Sequence, residues 1–296
     1  ALDLAAVDGR VYGVPITNMV TALVWYRTDI FEKYGLEVPT TYSELLEVMD
    51  VLQENNITPF TLANANKWTG SMYFMYLADR IGGPEAFYNA AMRVDGGSWA
   101  DEPFIKAGEM LQDLVRRGAF PRGFQSMDED LAQSRNLLYT DRAAMYLMGS
   151  WAYGTIKAEN EDLLKKLDFF VFPGIEGGKG DPSNMVGTPG DNYFSIAEKS
   201  EHKDYAVKFL KYLSDDKAAQ MLLDNGHIPP FGSDIASKIS DPLMRKMYET
   251  ISSAEKVQLW YDQFLPPELA AVHLDTTQAL FGLEMTPEEA AQTMEA

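Results

Sequence analysis

Three tryptophans of this sequence stand in polar company, and a flat indole beside amides and carboxylates is what recognition of a sugar requires. The apolar C–H face of the sugar stacks on the ring while its hydroxyls bond to the polar groups. Trp68 follows Asn64-Ala65-Asn66-Lys67, just ahead of a helical pattern. Trp151 follows Gly149 and Ser150, two small residues that permit a ligand to approach the backbone closely. Trp260 lies within Gln258-Leu259-Trp260-Tyr261-Asp262-Gln263, ahead of Pro266-Pro267. Asp191 and Asn192 follow the glycine-bounded turn Gly187-Thr188-Pro189-Gly190, and Asn18 stands in the linker Pro15-Ile16-Thr17-Asn18. The candidate ligand contacts are therefore Asn18, Asn66, Trp68, Trp151, Asp191, Asn192, Trp260 and Asp262. Plain structural roles compete with these: a core tryptophan stapling a helix start accounts for Trp68, and an Asx turn accounts for Asp191 and Asn192.

The carboxylates raise a second chemistry, because paired acids near aromatics also serve glycoside hydrolysis, with Asp191 and Asp262 as the conceivable pair. Other catalytic classes find little support. No cysteine is present, and His202, His227 and His273 each stand alone, outside any HExxH or nucleophile-elbow pattern. Gly177-Gly178-Lys179-Gly180 lacks the spacing of a phosphate loop and follows a proline-glycine turn instead of opening a helix. The acidic run Asp128-Glu129-Asp130 reads as a solvated loop or helix start, and Met72, Met75 and Tyr76 recur at the spacing of a buried helix face. The expectation is a protein without metal or cofactor. A surface interaction module with no small ligand would explain the charge but leave the tryptophans unexplained.

The elements that must position these residues alternate in type. Val11 to Pro15 and Ala22 to Tyr26 read as strands, and Thr41 with Glu44 reads as a capping box ahead of a helix. Trp68 to Ile81 reads as a buried helix stopped by Gly82-Gly83-Pro84, and Phe104 to Arg117 as an amphipathic one. Ala143 to Met148 and Phe169 to Phe172 read as strands, and helices follow over Tyr205 to Leu213, over Ala218 to Leu223 and from Pro266 onward, the last beginning at Thr286-Pro287-Glu288-Glu289. This alternation predicts an α/β fold. With 46% hydrophobic residues over 296 positions the chain can bury a large core. Its 25 basic against 44 acidic residues give a net charge of -19, which makes nucleic acid and anionic membrane poor partners. The apolar runs fall short of the ~20 residues of a membrane helix.

Three blocks together resemble the family 1 extracellular solute-binding proteins of ABC importers, the group that includes maltose- and xylo-oligosaccharide-binding receptors. The first runs from Asp8-Gly9-Arg10-Val11-Tyr12-Gly13-Val14-Pro15 through Leu23-Val24-Trp25-Tyr26-Arg27-Thr28-Asp29 to Pro39-Thr40-Thr41-Tyr42. The second is Ala143-Ala144-Met145-Tyr146-Leu147-Met148-Gly149-Ser150-Trp151, and the third is Phe194-Ser195-Ile196-Ala197 with Ala206-Val207-Lys208-Phe209-Leu210. The resemblance implies a two-lobe periplasmic-binding-protein-like fold with hinge crossings at Pro15–Asn18 and Asp191–Ala197. It implies a first lobe of residues 1–15 and 195–235, lacking its N-terminal portion, and a second of 16–194 and 236–296. It further implies an extracytoplasmic, non-catalytic monomer, periplasmic or a cell-surface lipoprotein. Such a receptor closes on a sugar and delivers it to the permease subunits of an ABC transporter, with Trp151 facing the ligand.

Overall fold

The run from Ala22 to Tyr26 is apolar because both of its faces are covered: the strand Val20–Arg27 is buried at every position. The computed structural model describes residues 2–190, 192–232 and 234–296. Among them the strands are, in chain order, β1 (Ala6–Val7), β2 (Arg10–Val11), β3 (Val14–Pro15), β4 (Val20–Arg27), β5 (Thr58–Thr61), β6 (Ala143–Gly149), β7 (Leu167–Phe170), β8 (Met185–Thr188), β9 (Tyr193–Phe194) and β10 (Val257–Leu259). By internal contacts the chain divides into a first unit of Ala1–Thr21, Gly149–Lys165 and Gly187–Ala254, and a second of Ala22–Met148, Lys166–Val186 and Glu255–Ala296. Compared with the boundaries expected from sequence, 16–21, 149–165, 187–194 and 236–254 group with the first unit.

A mixed sheet in the order β10-β8-β4-β6-β5 organises the second unit, with β7 also pairing with β4. β5 and β6 run parallel, whereas β7 and β8 run antiparallel to β4. The α/β expectation holds, with a sheet of mixed direction. Helix Trp68–Gly82 packs against Glu102–Arg116 and Pro267–Gly282. It is buried over almost its whole length, so its sequence is apolar on every side. The capping box at Thr41 forms as read, with Thr41 Oγ1 accepting from Glu44 N at 3.2 Å, and the helix start read at Thr286 is closed by one as well, with Thr286 Oγ1 accepting from Glu289 N at 3.2 Å. Aromatic rings fill the space between helices, with Tyr261 stacked on Phe87 at 3.9 Å between centroids.

The first unit is built differently. Asp8 and Gly9, both at positive φ, turn the β1–β2 hairpin. The expected strand from Val11 to Pro15 is interrupted at Gly13, where a Cβ would lie 3.0 Å from that of Tyr193. Its second half, β3, pairs antiparallel with β9, Val14 opposite Phe194 and Pro15 opposite Tyr193. The core of this unit lies around Tyr153, Ile156, Leu223, Met244, Met247 and Ile251, all buried.

Buried polar groups constrain the second unit. His273 is 1% exposed, packed between Phe74 and Tyr261, and its Nε2 lies 2.6 Å from Ser71 Oγ. Burial lowers its pKa to about 3, so the folded protein holds a neutral imidazole. The unfolded chain takes up a proton here below about pH 6.5, and the folded one does so only near pH 3. The contribution of this group is therefore intact above pH 6.5 and is lost as pH falls, by at most about 1.4 kcal/mol per pH unit. Burial raises the pKa of Asp79 and Asp262, which act in the opposite direction as they become protonated. Urea unfolding at intervals from pH 7.5 to 4.5 should show wild type losing more stability than His273→Gln over this window. Equal slopes for the two proteins would show that the imidazole does not carry the effect.

Candidate functional site

In the second unit the chain leaves β5 through a turn that ends at Trp68, and almost every polar group of that turn is engaged. Asn64 is fully buried; its Nδ2 donates to Gln125 Oε1 at 2.7 Å and its Oδ1 accepts from Gly70 N at 3.0 Å. A Cβ on Gly70 would fall 2.4 Å from that oxygen, so a bare glycine is required for the turn to close on the helix. Asn66 Oδ1 accepts from Glu129 N at 2.8 Å, and the Asn66 carbonyl accepts from Trp68 N at 2.7 Å. Glu129 is itself buried, accepting from Tyr146 Oη at 2.6 Å and from Arg135 and Ser134. The neighbouring Asp128 accepts from Asp130 N at 2.8 Å, so the acidic run is a self-bonded turn with one inward carboxylate. Lys67 adopts a positive φ of 64°, and its ammonium pairs with Asp275. Trp68 thus stands half-buried at the first position of its helix, on a backbone fixed from several sides.

Trp260 and Asp262 lie on another segment of the same unit. Trp260 is only 4% exposed, and its carbonyl accepts from Phe264 N at 3.0 Å. Gln258 Nε2 donates inward to the Met75 carbonyl at 3.2 Å, and Tyr261 lies in the aromatic core. The polar company that suggested a surface loop therefore serves the interior. Asp262 is half-buried, with a carboxyl held above the usual range by that burial.

In the first unit, Asn18 and Asn192 flank the β3–β9 pair. Ile16 N donates to the Asn192 carbonyl at 3.0 Å, with Asn192 at a φ of 57°. Asn18 N donates to the Ile228 carbonyl at 2.9 Å, and its Oδ1 accepts from Met19 N at 2.7 Å. Asp191 lies outside the described residues. Trp151 is half-buried and opens helix Ala152–Leu164, with Ser150 N anchored to the Thr21 carbonyl at 2.8 Å. A Cβ on Gly149 would fall 2.2 Å from the Trp151 ring. The room left by that glycine is filled by the indole itself, where the sequence suggested room for a ligand.

The family described as bacterial extracellular solute-binding protein matches residues 1–220. This chain belongs to that family. It is 29% identical over 254 residues to an uncharacterised ABC transporter extracellular-binding protein of Pyrococcus horikoshii, covering 84% of this chain and 53% of that protein. It is 27% identical over 263 residues to a multiple sugar-binding protein of Streptococcus mutans, covering 87% of this chain and 59% of that one. The chain thus spans little more than half the length of these curated relatives. Among solved structures, a protein from work on xylan utilization by the thermophilic bacterium Caldanaerobius polysaccharolyticus superposes with a TM-score of 0.90 at 30% identity. The match covers 99% of this chain and 74% of that one.

For this solute-binding protein the structure brings Asn66 and Trp68 together, keeps Trp260 with Asp262 on a separate segment, and sets Asn18 and Asn192 around one strand pair. Sequence reasoning missed Glu129 as the anchor of Asn66, and Asp275, which pairs with Lys67 across 208 residues of sequence. Among the described residues no helix is long and apolar enough to cross a membrane. The Gly149 contact gives a direct test. Gly149→Ala must displace the Trp151 indole, so we expect an altered near-UV circular dichroism spectrum and a stability loss of about 1 to 3 kcal/mol. An unchanged spectrum with unchanged stability would show that the ring is not held there.

Proposed function

We propose that this chain is the ligand-binding part of an extracytoplasmic receptor that takes up a carbohydrate for an ABC importer and does no chemistry on it. The observation that carries the reading is Trp68: a half-buried tryptophan at a helix start, on a turn whose buried groups are already bonded, next to the Asn66 amide. Because the Asn66 oxygen is engaged by Glu129 N–H, a ligand hydroxyl meets this residue through its NH2 group. Within the second unit Asp262 is a further candidate contact, and within the first unit Trp151, Asn18 and Asn192 are candidates of their own. The names of the relatives support a sugar as the class of ligand, and the family supports delivery to permease subunits. Pro15–Asn18 acts as a hinge segment, and the receptor works as a monomer outside the cytoplasm, in the periplasm or as a lipoprotein on the cell surface. A hydrolase reading gains nothing from the histidines, since His273 is sealed in the core and held neutral.

Calorimetric titration with xylo-, chito- and malto-oligosaccharides tests the proposal, and two substitutions sharpen it. Trp68→Ala and Trp151→Ala each remove about 0.5 to 1.5 kcal/mol of aromatic contact plus the area buried under the sugar. Affinity should fall at least about tenfold for each. The apo fold should lose less than the ~3 to 5 kcal/mol of a truncated core tryptophan. Binding of amino acids or peptides and of no sugar would overturn the carbohydrate reading. Cleaved sugar after long incubation with wild type would hand the case to the hydrolase.

A further inference from the structure

Of all the asparagines in the sequence, only Asn56 is followed two positions later by serine or threonine, in Glu54-Asn55-Asn56-Ile57-Thr58. An asparagine so placed, with no proline between, is the acceptor pattern for N-linked glycosylation in an exported protein. The carboxylate of Glu54, two positions ahead, gives the longer acidic form of the acceptor that bacterial transferases select. The structure sets this triplet where a bulky group can stand. Asn56 lies in the turn between helix Tyr42–Glu54 and β5, at a positive φ of 60°, and is exposed together with Glu54 and Asn55. The amide of Asn55 is consumed, its Nδ2 donating to the Val51 carbonyl at 2.8 Å. Among the described residues none bonds to the Asn56 side chain, so its nitrogen is left to solvent. Thr58 already belongs to the sheet, opposite Ala143 of β6. The four residues of β5 separate this turn from the one that carries Trp68, so about 10 Å of strand lies between them and a group on Asn56 leaves the indole uncovered.

We infer that Asn56 is a modification site and carries an N-linked oligosaccharide in the native protein, an inference that rests on the extracytoplasmic location proposed above. The donor is an oligosaccharide held on a lipid through a pyrophosphate. In the transfer a bond forms between Asn56 Nδ2 and the anomeric carbon of the first sugar, and the bond from that carbon to the pyrophosphate oxygen breaks. The lipid pyrophosphate leaves, and Nδ2 gives up one proton. The folded turn also dictates when this happens. Asn56 N donates to the Gln53 carbonyl at 2.9 Å, Ile57 N to that of Leu52 at 2.9 Å and Thr58 N to that of Arg142 at 3.0 Å. Three successive backbone groups are thus tied down, and a transferase cannot draw the triplet into its own cleft without breaking them. Transfer therefore precedes folding of this segment, and the fold then leaves the glycosylated nitrogen in water.

The test is tandem mass spectrometry of the peptide containing Asn56, on protein purified from its native cells after separation of the cytoplasm from the exterior. A fraction of the molecules should carry added mass on Asn56 that fragments in monosaccharide steps. Asn56→Gln and Thr58→Val, made in the native gene, should each abolish that mass, while Thr58→Ser keeps it. Thr58→Val leaves Asn56 in place and suits a strand position, so loss of the mass there reports recognition of the triplet and not a failure to fold. Protein recovered from the exterior with Asn56 bare in every molecule overturns the inference and leaves the location standing. Protein found only in the cytoplasm overturns the location and the inference together. A sugar that persists on Asn56 in Thr58→Val overturns the reading of the triplet as its signal.

Discussion

A guanidinium sealed from water must find acceptors for its N–H groups, and Arg80 meets that requirement in a way that fixes much of the second unit. Its side chain is fully buried and pairs with the equally buried Asp79 at 2.5 Å. It also donates to the carbonyls of Phe172, Pro182 and Asn184, at 2.9, 3.2 and 2.8 Å. Removing one member of such a pair leaves a bare charge in the interior, which costs several kcal/mol, so geometry around it is tightly specified. The glycine-rich stretch docks on the same point: Lys179 N donates to the Ile81 carbonyl and Gly180 N to that of Arg80. A Cβ on Gly178 would lie 2.1 Å from the Arg80 carbonyl oxygen. What looks superficially like a phosphate loop is thus a cap that closes the end of helix Trp68–Gly82.

The other end of that helix carries the candidate sugar platform, and the two ends depend on each other. A helix held at its C-terminal turn by Arg80 and along its length by Tyr76 Oη to the Ala22 carbonyl, at 2.5 Å, cannot shift or rotate freely. Trp68 therefore projects from a fixed point, and the Asn64–Lys67 turn is fixed again by Gln125, Met127 and Glu129. A ligand that stacks on such a ring pays little to order it, which is how a small contact area yields useful affinity.

Local signals in the sequence were legible where a single turn of chain decides the outcome. Thr41 with Glu44, Thr286 with Glu289, and Gly82-Gly83-Pro84 set helix ends through bonds spanning three or four residues, and each did so as read. β4 and β6 were legible because strands buried on both faces must be continuously apolar. The site was less legible, since its decisive contacts are distant in sequence. Gln258 and Tyr261 looked like surface company for Trp260, but the amide is consumed by the Met75 carbonyl and the phenol ring by Phe87. Gly149 looked like space for a ligand and is space for Trp151. Amphipathic spacing over Tyr205 to Leu213 identified the helix, but periodicity says which side is apolar and not what lies against it.

Charge supplies the last link between these surfaces and the proposed ligand. With a net charge of -19, the protein repels anions at long range, and a site for an anionic solute would need uncompensated cations to overcome that field. The cation nearest in sequence to Trp68 is Lys67, and its ammonium is matched by Asp275; Arg135, beneath the Asn66 turn, is matched by Glu129. A cationic solute would be drawn to the protein, but Glu129, the carboxylate under this turn, is buried and already accepts from Tyr146, Ser134 and Arg135. What the turn offers a ligand is an aromatic face and an amide NH2. Those groups suit a neutral molecule with an apolar side and many hydroxyls, which is the physical argument for proposing a carbohydrate at the Trp68 surface over a charged amino acid or peptide.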